Sequence, residues 1–227
     1  MKNMRLDLDK IRTDFDAVLF DMDGTLVDSM WIWNQVDIDF LALYGLAPPK
    51  NLKEEIEGMS YHETAEYFKA TFHLTESVEE IISIWNNMAH EKYENEVSAK
   101  EGLEAFITFL KKNGKRTAIC TSNSLFLTEA VLKRYPFLKQ IDIIITSDLV
   151  KKGKPNPDVY LKAAELLNVK PSKCLVFEDL PNGILAGRNA GMTTCTLDDP
   201  FSQHAIEKKI ELADYYIHNY RDIIENL

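Results

Sequence analysis

The stretch Ala17-Val18-Leu19-Phe20-Asp21-Met22-Asp23-Gly24-Thr25-Leu26-Val27-Asp28-Ser29 decides how this 227-residue chain is read. Ala17 to Phe20 form an unbroken apolar run of the kind found in a strand buried on both faces. Asp21 follows at once, which puts its carboxylate at the carboxyl end of a central strand. In open parallel sheets that edge is where ligands bind, and Gly24 permits a tight turn that brings Asp23 round beside Asp21. Two carboxylates so close resist joint ionisation unless a cation offsets them or one of them holds a proton. A hard cation such as Mg²⁺ suits oxygen donors and leaves positions for water and a phosphate oxygen. The plain alternative is that both aspartates only shape a turn, as aspartate commonly does.

Working outward, the net charge of -10 argues against a nucleic-acid or anionic-membrane partner. An anionic substrate then needs local help from a metal and a lysine. Cys120, Cys174 and Cys195 are widely spaced and form no CxxC pair, so neither a disulfide framework nor a zinc site is suggested, and a reducing cytoplasm is the expected setting. Met1 to Thr13 mixes Lys, Arg and Asp without the apolar core of a signal peptide, and no later run is long enough to span a bilayer. A monomer is the starting expectation.

From Met30 to about Ser98 no strand-like apolar run occurs. Trp31, Val36, Phe40 and Leu43 recur at roughly helical spacing, and the pattern stops at Gly45 with prolines at 48 and 49. Further helices are predicted near Leu52 to Glu57, Tyr61 to Phe72 and Val78 to Tyr93, with a break at Gly58-Met59-Ser60. Residues 30–97 are therefore read as an all-helical insert.

After Lys100 helix and strand alternate. Leu103, Phe106 and Leu110 line one helical face that Gly114 ends; strands are predicted at Thr117 to Cys120, Ile141 to Ile145, Cys174 to Phe177, Met192 to Leu197 and Tyr215 to Ile217. Helices at Leu125 to Tyr135, Pro157 to Leu167 and Pro181 to Ala190 separate them. This alternation implies an α/β fold, a parallel sheet with helices on both faces, to which the Ala17 strand must belong. Residues 1–29 and 98–227 then make one discontinuous domain.

The carboxyl ends of the strands gather Asp21, Thr121-Ser122-Asn123 and Glu178-Asp179, with Lys154 shortly before the Pro157 helix. Each has a plain alternative: Thr121, Asn123, Glu178 or Asp179 as helix caps, Lys154 as a solvated member of the basic run Lys151 to Lys154. A chemistry that uses all of them is phosphoryl transfer through an aspartyl phosphate. Asp21 attacks phosphorus, Mg²⁺ holds a phosphate oxygen, Lys154 and Thr121 neutralise the other oxygens, and Asp23 protonates the leaving alkoxide.

The stretch Asp21-Met-Asp23-Gly24-Thr25-Leu-Val-Asp28, Thr121-Ser122-Asn123, Lys154-Pro155 with Pro157-Asp158-Val159-Tyr160, and Glu178-Asp179 with Asn182-Gly183 resembles the four motifs of the haloacid dehalogenase superfamily, in order and spacing, over nearly the whole chain. The resemblance implies a Rossmann-like core, a helical cap and a Mg²⁺-bound phosphate ester of a small metabolite. It makes Asp21 the nucleophile, Asp23 the acid/base that also offers its main-chain carbonyl to the metal, Thr121, Ser122 and Lys154 the phosphate binders, and Glu178 and Asp179 the remaining metal ligands.

Asp23 resembles the phosphatases and phosphomutases, and the layout is similar to the β-phosphoglucomutase-like branch. That mutase has a histidine ten residues past its acid/base, where this chain has Trp33, and an arginine in the loop resembling Gly58-Met59-Ser60, where this chain offers Tyr61 and His62. Both departures favour a phosphatase. A sugar-phosphate mutase and a non-catalytic phosphometabolite-binding protein stand as alternatives. Trp33, Met59, Tyr61, His62 and Asn123 are the candidates for substrate specificity, although an aromatic or Met at helical spacing is more often core. His62-Glu63 lacks the second histidine of a zinc-protease helix.

Overall fold

The computed structural model describes residues 6–56, 59, 61–146 and 149–225. The chain divides into two units, Met1–Met30 with Val97–Leu227, and Trp31–Glu96. In chain order the strands are β1 (Ala17–Phe20), β2 (Val27–Asp28), β3 (Ser98–Ala99), β4 (Arg116–Cys120), β5 (Ile143–Ile145), β6 (Cys174–Glu178), β7 (Thr193–Leu197) and β8 (Tyr215–Ile217). The helices are α1 (Leu8–Asp14), α2 (Ile32–Leu43), α3 (Leu52–Ile56), α4 (Tyr61–Thr71), α5 (Val78–Asn95), α6 (Leu103–Lys112), α7 (Leu125–Arg134), α8 (Asp158–Leu167), α9 (Pro181–Asn189), α10 (Ile206–Leu212) and α11 (Arg221–Ile224).

Six strands make one parallel sheet in the order β5-β4-β1-β6-β7-β8. All four residues of β1 are buried, with Phe20 opposite Ile119 of β4 on one side and Phe177 of β6 on the other. A strand flanked on both edges and covered on both faces must be apolar throughout, which is why the run is continuous rather than alternating. The chain fills the sheet from β1 outward through β4 and β5, then returns to the other side of β1 with β6. The carboxyl end of β1 is thus the point where strand order reverses and a crevice opens.

Period-two alternation sorts the side chains. Phe20 stacks on Phe177 at 5.5 Å and meets Phe106 of α6 and Tyr220 edge-on, each at 6.2 Å. On the opposite face Ala17, Leu19, Ala118, Cys120, Cys174 and Val176 pack with Val159, Tyr160 and Ala163 of α8. Asp21 and Glu178 continue this second set, so both carboxylates emerge on the side that α8 covers. A two-residue antiparallel ladder, Val27 opposite Ala99 and Asp28 opposite Ser98, joins the chain where it leaves for the helical unit to where it returns. Lys100 clamps it, with Nζ 2.5 Å from Asp28 and 3.0 Å from Asp199 beyond β7.

Two expectations are corrected. Ile141 and Asp142 are not part of the strand: Ile141 closes the short 3-10 turn Pro136–Gln140, and the Asp142 carboxylate accepts the Thr117 N–H at 2.7 Å, so pairing starts at Ile143. The buried face of α2 is Ile32, Val36, Phe40 and Leu41, while Leu43 is 65% exposed and Trp31 stands outside the first turn as a half-buried N-cap. The predicted helix near Leu52 ends at Ile56 among the described residues; Glu57, Gly58 and Ser60 lie outside them. No helix among the described residues is long and apolar enough to cross a membrane.

In the helical unit α5 starts with a capping box, Ser77 and Glu80 each bonding the other's backbone N–H. Its Trp85 packs edge-on against Phe40 of α2 at 5.6 Å and Phe68 of α4 at 4.9 Å. Asp37 lies half-buried on α2, and burial pushes its carboxyl up to about 7. In an unfolded chain an aspartate ionises near about 3.9. The folded state therefore holds the Asp37 proton more tightly, and stability falls as pH rises between those values and then levels. Asp37→Asn removes this loss, so its denaturation midpoint is expected to exceed that of the wild type by more at pH ~8 than at pH ~4. Denaturant titrations at both pH values check this; an equal gap at the two would refute it.

Candidate active site

The carboxyl ends of β1, β4 and β6 and the loop before α8 bring the charged groups together. Lys154 Nζ lies 2.5 Å from Asp21 Oδ1 and 2.6 Å from Glu178 Oε1, and donates to the Cys120 carbonyl at 3.0 Å. Lys151 and Lys152 of the same basic run are exposed, whereas the Lys154 side chain is only 10% exposed. Tyr160 of α8 donates to Glu178 Oε1 at 2.6 Å, and its ring lies 5.3 Å below the Lys154 ammonium. Tyr160 thus positions the Glu178 carboxylate from below.

Asp21, Glu178 and Asp179 each offer an oxygen within 4.8 Å of the others, and all three residues are buried. Three carboxylates against one ammonium leave an excess of two negative charges. Burial pushes the Asp21 carboxyl up to about 8 against the pull of Lys154, with the charges of Glu178 and Asp23 adding to the rise. Asp179 is likewise driven well up, by burial first and then by Asp21 and Glu178. Asp179 Oδ2 is buried with no hydrogen-bond partner, and Thr25 Oγ1 reaches its Oδ1 only at 3.5 Å.

An orphaned carboxylate oxygen on a residue clustered with two other buried carboxylates is a cost unless a cation takes it up. The donors are all hard oxygens and the missing charge is two, so the residues fit a divalent cation of the Mg²⁺ kind. Two glycines leave room for this packing. A Cβ on Gly24, whose φ is +75°, would fall 2.3 Å from Asp179 Oδ2, and one on Gly183 would fall 1.9 Å from the Glu178 carboxyl.

Asp23 does not join the carboxylate trio. Its Oδ1 accepts from Ser29 at 2.6 Å and its Oδ2 from Asn123 Nδ2 at 2.9 Å, which fixes the carboxyl two residues past Asp21. Ser29 had no role in the sequence reading, and Asn123, read there as a specificity candidate, is tied to Asp23. Thr121 is 1% exposed, and its hydroxyl accepts the Asn123 N–H at 3.0 Å. The plain alternatives for these positions fail: Ser124 caps α7, Leu180 is the N-cap position of α9, and neither Thr121 nor Glu178-Asp179 caps a helix. Ser122, next to Thr121, is exposed.

The remaining candidates belong to the helical unit. Trp33 is half-buried with its ring edge-on to Tyr61 at 5.4 Å. Tyr61 is 38% exposed and donates to Asn86 Oδ1 at 3.4 Å; Met59 is 37% exposed. His62 is exposed, 3.7 Å from Glu66 on the next turn. The sequence reading gave Tyr160 no role of its own. Tyr160 stood inside a quoted motif, and its place six residues after Lys154 on a helix facing the sheet was the available signal.

The family model of the haloacid dehalogenase-like hydrolases matches residues 15–191, and the chain belongs to that family. It is 32% identical over 207 residues to hexitol phosphatase A of Escherichia coli K12, covering 90% of this chain and 91% of that protein. It is 28% identical over 171 residues to a phosphorylated carbohydrates phosphatase of Thermotoga maritima, covering 75% and 79%. Among solved structures, a HAD family hydrolase from Deinococcus radiodurans R1 with bound phosphate and sodium superposes with a TM-score of 0.68 at 27% identity, over 92% of this chain and 93% of that one. The protein is a hydrolase with a Rossmann-like parallel sheet, and its acidic cluster stands where that sheet's ligand crevice opens.

Proposed function

We propose that the protein hydrolyses a small phosphomonoester of the sugar-phosphate kind through a phosphoryl group carried briefly on Asp21. The observation that carries this reading is the Asp21 carboxylate at the carboxyl end of β1, 2.5 Å from a buried ammonium and beside a second carboxyl, Asp23, held by two hydrogen bonds. Asp21 attacks phosphorus, the bond from phosphorus to the alcohol oxygen breaks, and Asp23 gives its proton to that oxygen. Asp23, now ionised, takes a proton from the water that attacks the acyl phosphate, which frees inorganic phosphate and restores Asp21. Lys154 and Thr121, with Ser122 beside them, meet the non-bridging oxygens, where charge is highest in transfer. A cation held by Asp21, Glu178, Asp179 and the Asp23 carbonyl supplies charge neutralisation at a phosphate oxygen when bound.

The named substrates of the relatives support a carbohydrate phosphate, and Trp33 in place of the mutase histidine argues against phosphoryl return to a sugar. The reading takes Mg²⁺ as the cation, the helical unit as a cap, and a monomer acting on a phosphorylated metabolite in the cytoplasm. Phosphate release from a panel of sugar phosphates, polyol phosphates and nucleotides, with Mg²⁺ or with EDTA, tests it. Release from the carbohydrate esters that EDTA abolishes is expected; release indifferent to EDTA, or none from any ester, contradicts it.

A further inference from the structure

The proposed reaction asks Asp23 to give up a proton and later to take one, and its carboxyl has to stay in place meanwhile. Every residue concerned belongs to the unit formed by Met1–Met30 and Val97–Leu227. The backbone around Asp23 is a closed turn: the Met22 carbonyl accepts the N–H groups of Leu26 at 2.8 Å and Val27 at 3.2 Å, and the Gly24 N–H returns to the Val27 carbonyl at 2.8 Å. The chain then runs back through β2, so that Ser29, six residues past Asp23 and 1% exposed, sets its hydroxyl 2.6 Å from Asp23 Oδ1. Asn123 Nδ2, arriving from the loop after β4, lies 2.9 Å from Asp23 Oδ2.

These two ties are not equivalent. An amide N–H only donates, so Asn123 keeps Oδ2 an acceptor, and the proton that Asp23 delivers belongs on Oδ1. A hydroxyl both donates and accepts, so Ser29 donates to the ionised Oδ1 and turns to accept from Oδ1–H. The terminal torsion of an aspartate is broad and two-fold, and lateral ties are what hold the carboxyl in one plane. A general acid has to stay within hydrogen-bond reach of the oxygen it protonates, and a displacement of about 1 Å costs on the order of 10²-fold in rate.

We propose that Ser29 is a positioning residue for the acid/base steps, keeping Asp23 Oδ1 in place by a hydrogen bond that reverses direction as the proton leaves and returns. The inference rests on the phosphomonoesterase reading and adds to it the oxygen through which the proton passes and the residue that steadies it. As the bond from phosphorus to the alcohol oxygen breaks, Oδ1–H turns from Ser29 and gives its proton to that oxygen, and the Ser29 hydroxyl donates to the carboxylate left behind. When water attacks the acyl phosphate its proton goes to Oδ1, and the Ser29 hydroxyl turns to accept once more. Ser29 itself neither gains nor loses a proton over the cycle.

The test uses the intact protein and compares wild type, Ser29→Ala and Ser29→Thr on p-nitrophenyl phosphate, phenyl phosphate and a hexitol phosphate, with circular dichroism and calorimetric Mg²⁺ titration following fold and metal binding. Nitrophenolate leaves without a proton, whereas an alkoxide needs one. Because kcat/KM reports only the steps up to departure of the alcohol, Ser29→Ala is expected to lower it about tenfold to a hundredfold on the hexitol ester and by less than about threefold on the nitrophenyl ester, with the phenyl ester between. Ser29→Thr, which keeps a hydroxyl, is expected to regain most of the loss. A second readout is the nitrophenol burst. Ser29→Ala is expected to give a burst at nearly the wild-type rate and then a slower steady release, because water attack on the acyl phosphate still calls on Asp23 as base. An equal fall on all three esters, no fall on any, a burst slowed as much as the steady release, or weakened Mg²⁺ binding in Ser29→Ala overturns the role. A wild type that releases phosphate from none of the esters strikes the phosphomonoesterase reading and this inference with it, whereas an active wild type whose leaving-group dependence Ser29→Ala does not alter strikes the inference alone.

Discussion

Asp21→Asn is expected to lower kcat by on the order of 10⁴- to 10⁶-fold on every phosphate ester, the range seen when a covalent nucleophile is removed from a site that is otherwise intact. The substitution keeps the shape of the side chain and removes one of the carboxylates that crowd Asp179 and Glu178. Burial already pushes Asp21 up to about 8, so its charged form is a burden on the folded state without a cation. The variant is therefore expected to be at least as stable as the wild type in EDTA and to bind a divalent cation more weakly. Single-turnover kinetics, denaturant midpoints and calorimetric titration of the metal read the three quantities separately. A fully active Asp21→Asn protein would show that Asp21 is not the nucleophile.

Lys154→Met carries the second large effect, and its signs are opposite. Lys154 is the ammonium shared by Asp21 and Glu178, and without it those two carboxylates and Asp179 stay buried with no positive partner among the groups at the site. Breaking a buried pair from one side costs about 3–5 kcal/mol, far more than the pair contributes against a well-packed apolar replacement. Burial works against the ammonium, but Asp21 and Glu178 outweigh it and hold Lys154 well above its ordinary value. A lysine shifted up contributes stability that is fully present below its unfolded value of about 10.4, so the loss is expected across the whole neutral range. Added Mg²⁺ is expected to raise the midpoint of Lys154→Met more than that of the wild type, because the variant has one more uncompensated charge. A midpoint within ~1 kcal/mol of wild type in EDTA would contradict the buried-pair geometry.

What was legible in the sequence follows from how much of a residue's role is written in its neighbours. The buried strand β1 showed itself because a strand covered on both faces has no place for a polar residue before Asp21. Lys154 could not be told from Lys151 and Lys152 by composition; only the sheet order brings it within 2.6 Å of Glu178 on the far side of β1. Helix α10 was missed because its buried residue is Lys209, whose ammonium reaches the Leu197 carbonyl and Ser202, so the apolar stripe that marks a helix is interrupted by a charge.

Strands β2 and β3 are two residues each, too short for any periodicity to register, and α1 buries only Ile11. The expected α2 face differs from the observed one by a small rotation: a stripe through Leu43 and one through Leu41 fit similar spacing, and only tertiary burial selects Leu41. Asp37 resembles any solvated acid on an amphipathic helix until the rings of Trp33 and Tyr61 are seen beside that face.

The central claim is that Asp21 carries the phosphoryl group, and a borohydride quench tests it directly. The enzyme is mixed with excess carbohydrate phosphate and Mg²⁺, quenched during turnover into borohydride, digested, and the peptide containing Asp21 is weighed. An acyl phosphate at Asp21 is reduced to the alcohol, so homoserine at that position, absent when substrate is omitted, is the result the account predicts. Unmodified aspartate at position 21 in an enzyme caught releasing phosphate, with reduction found at another carboxylate, would contradict it.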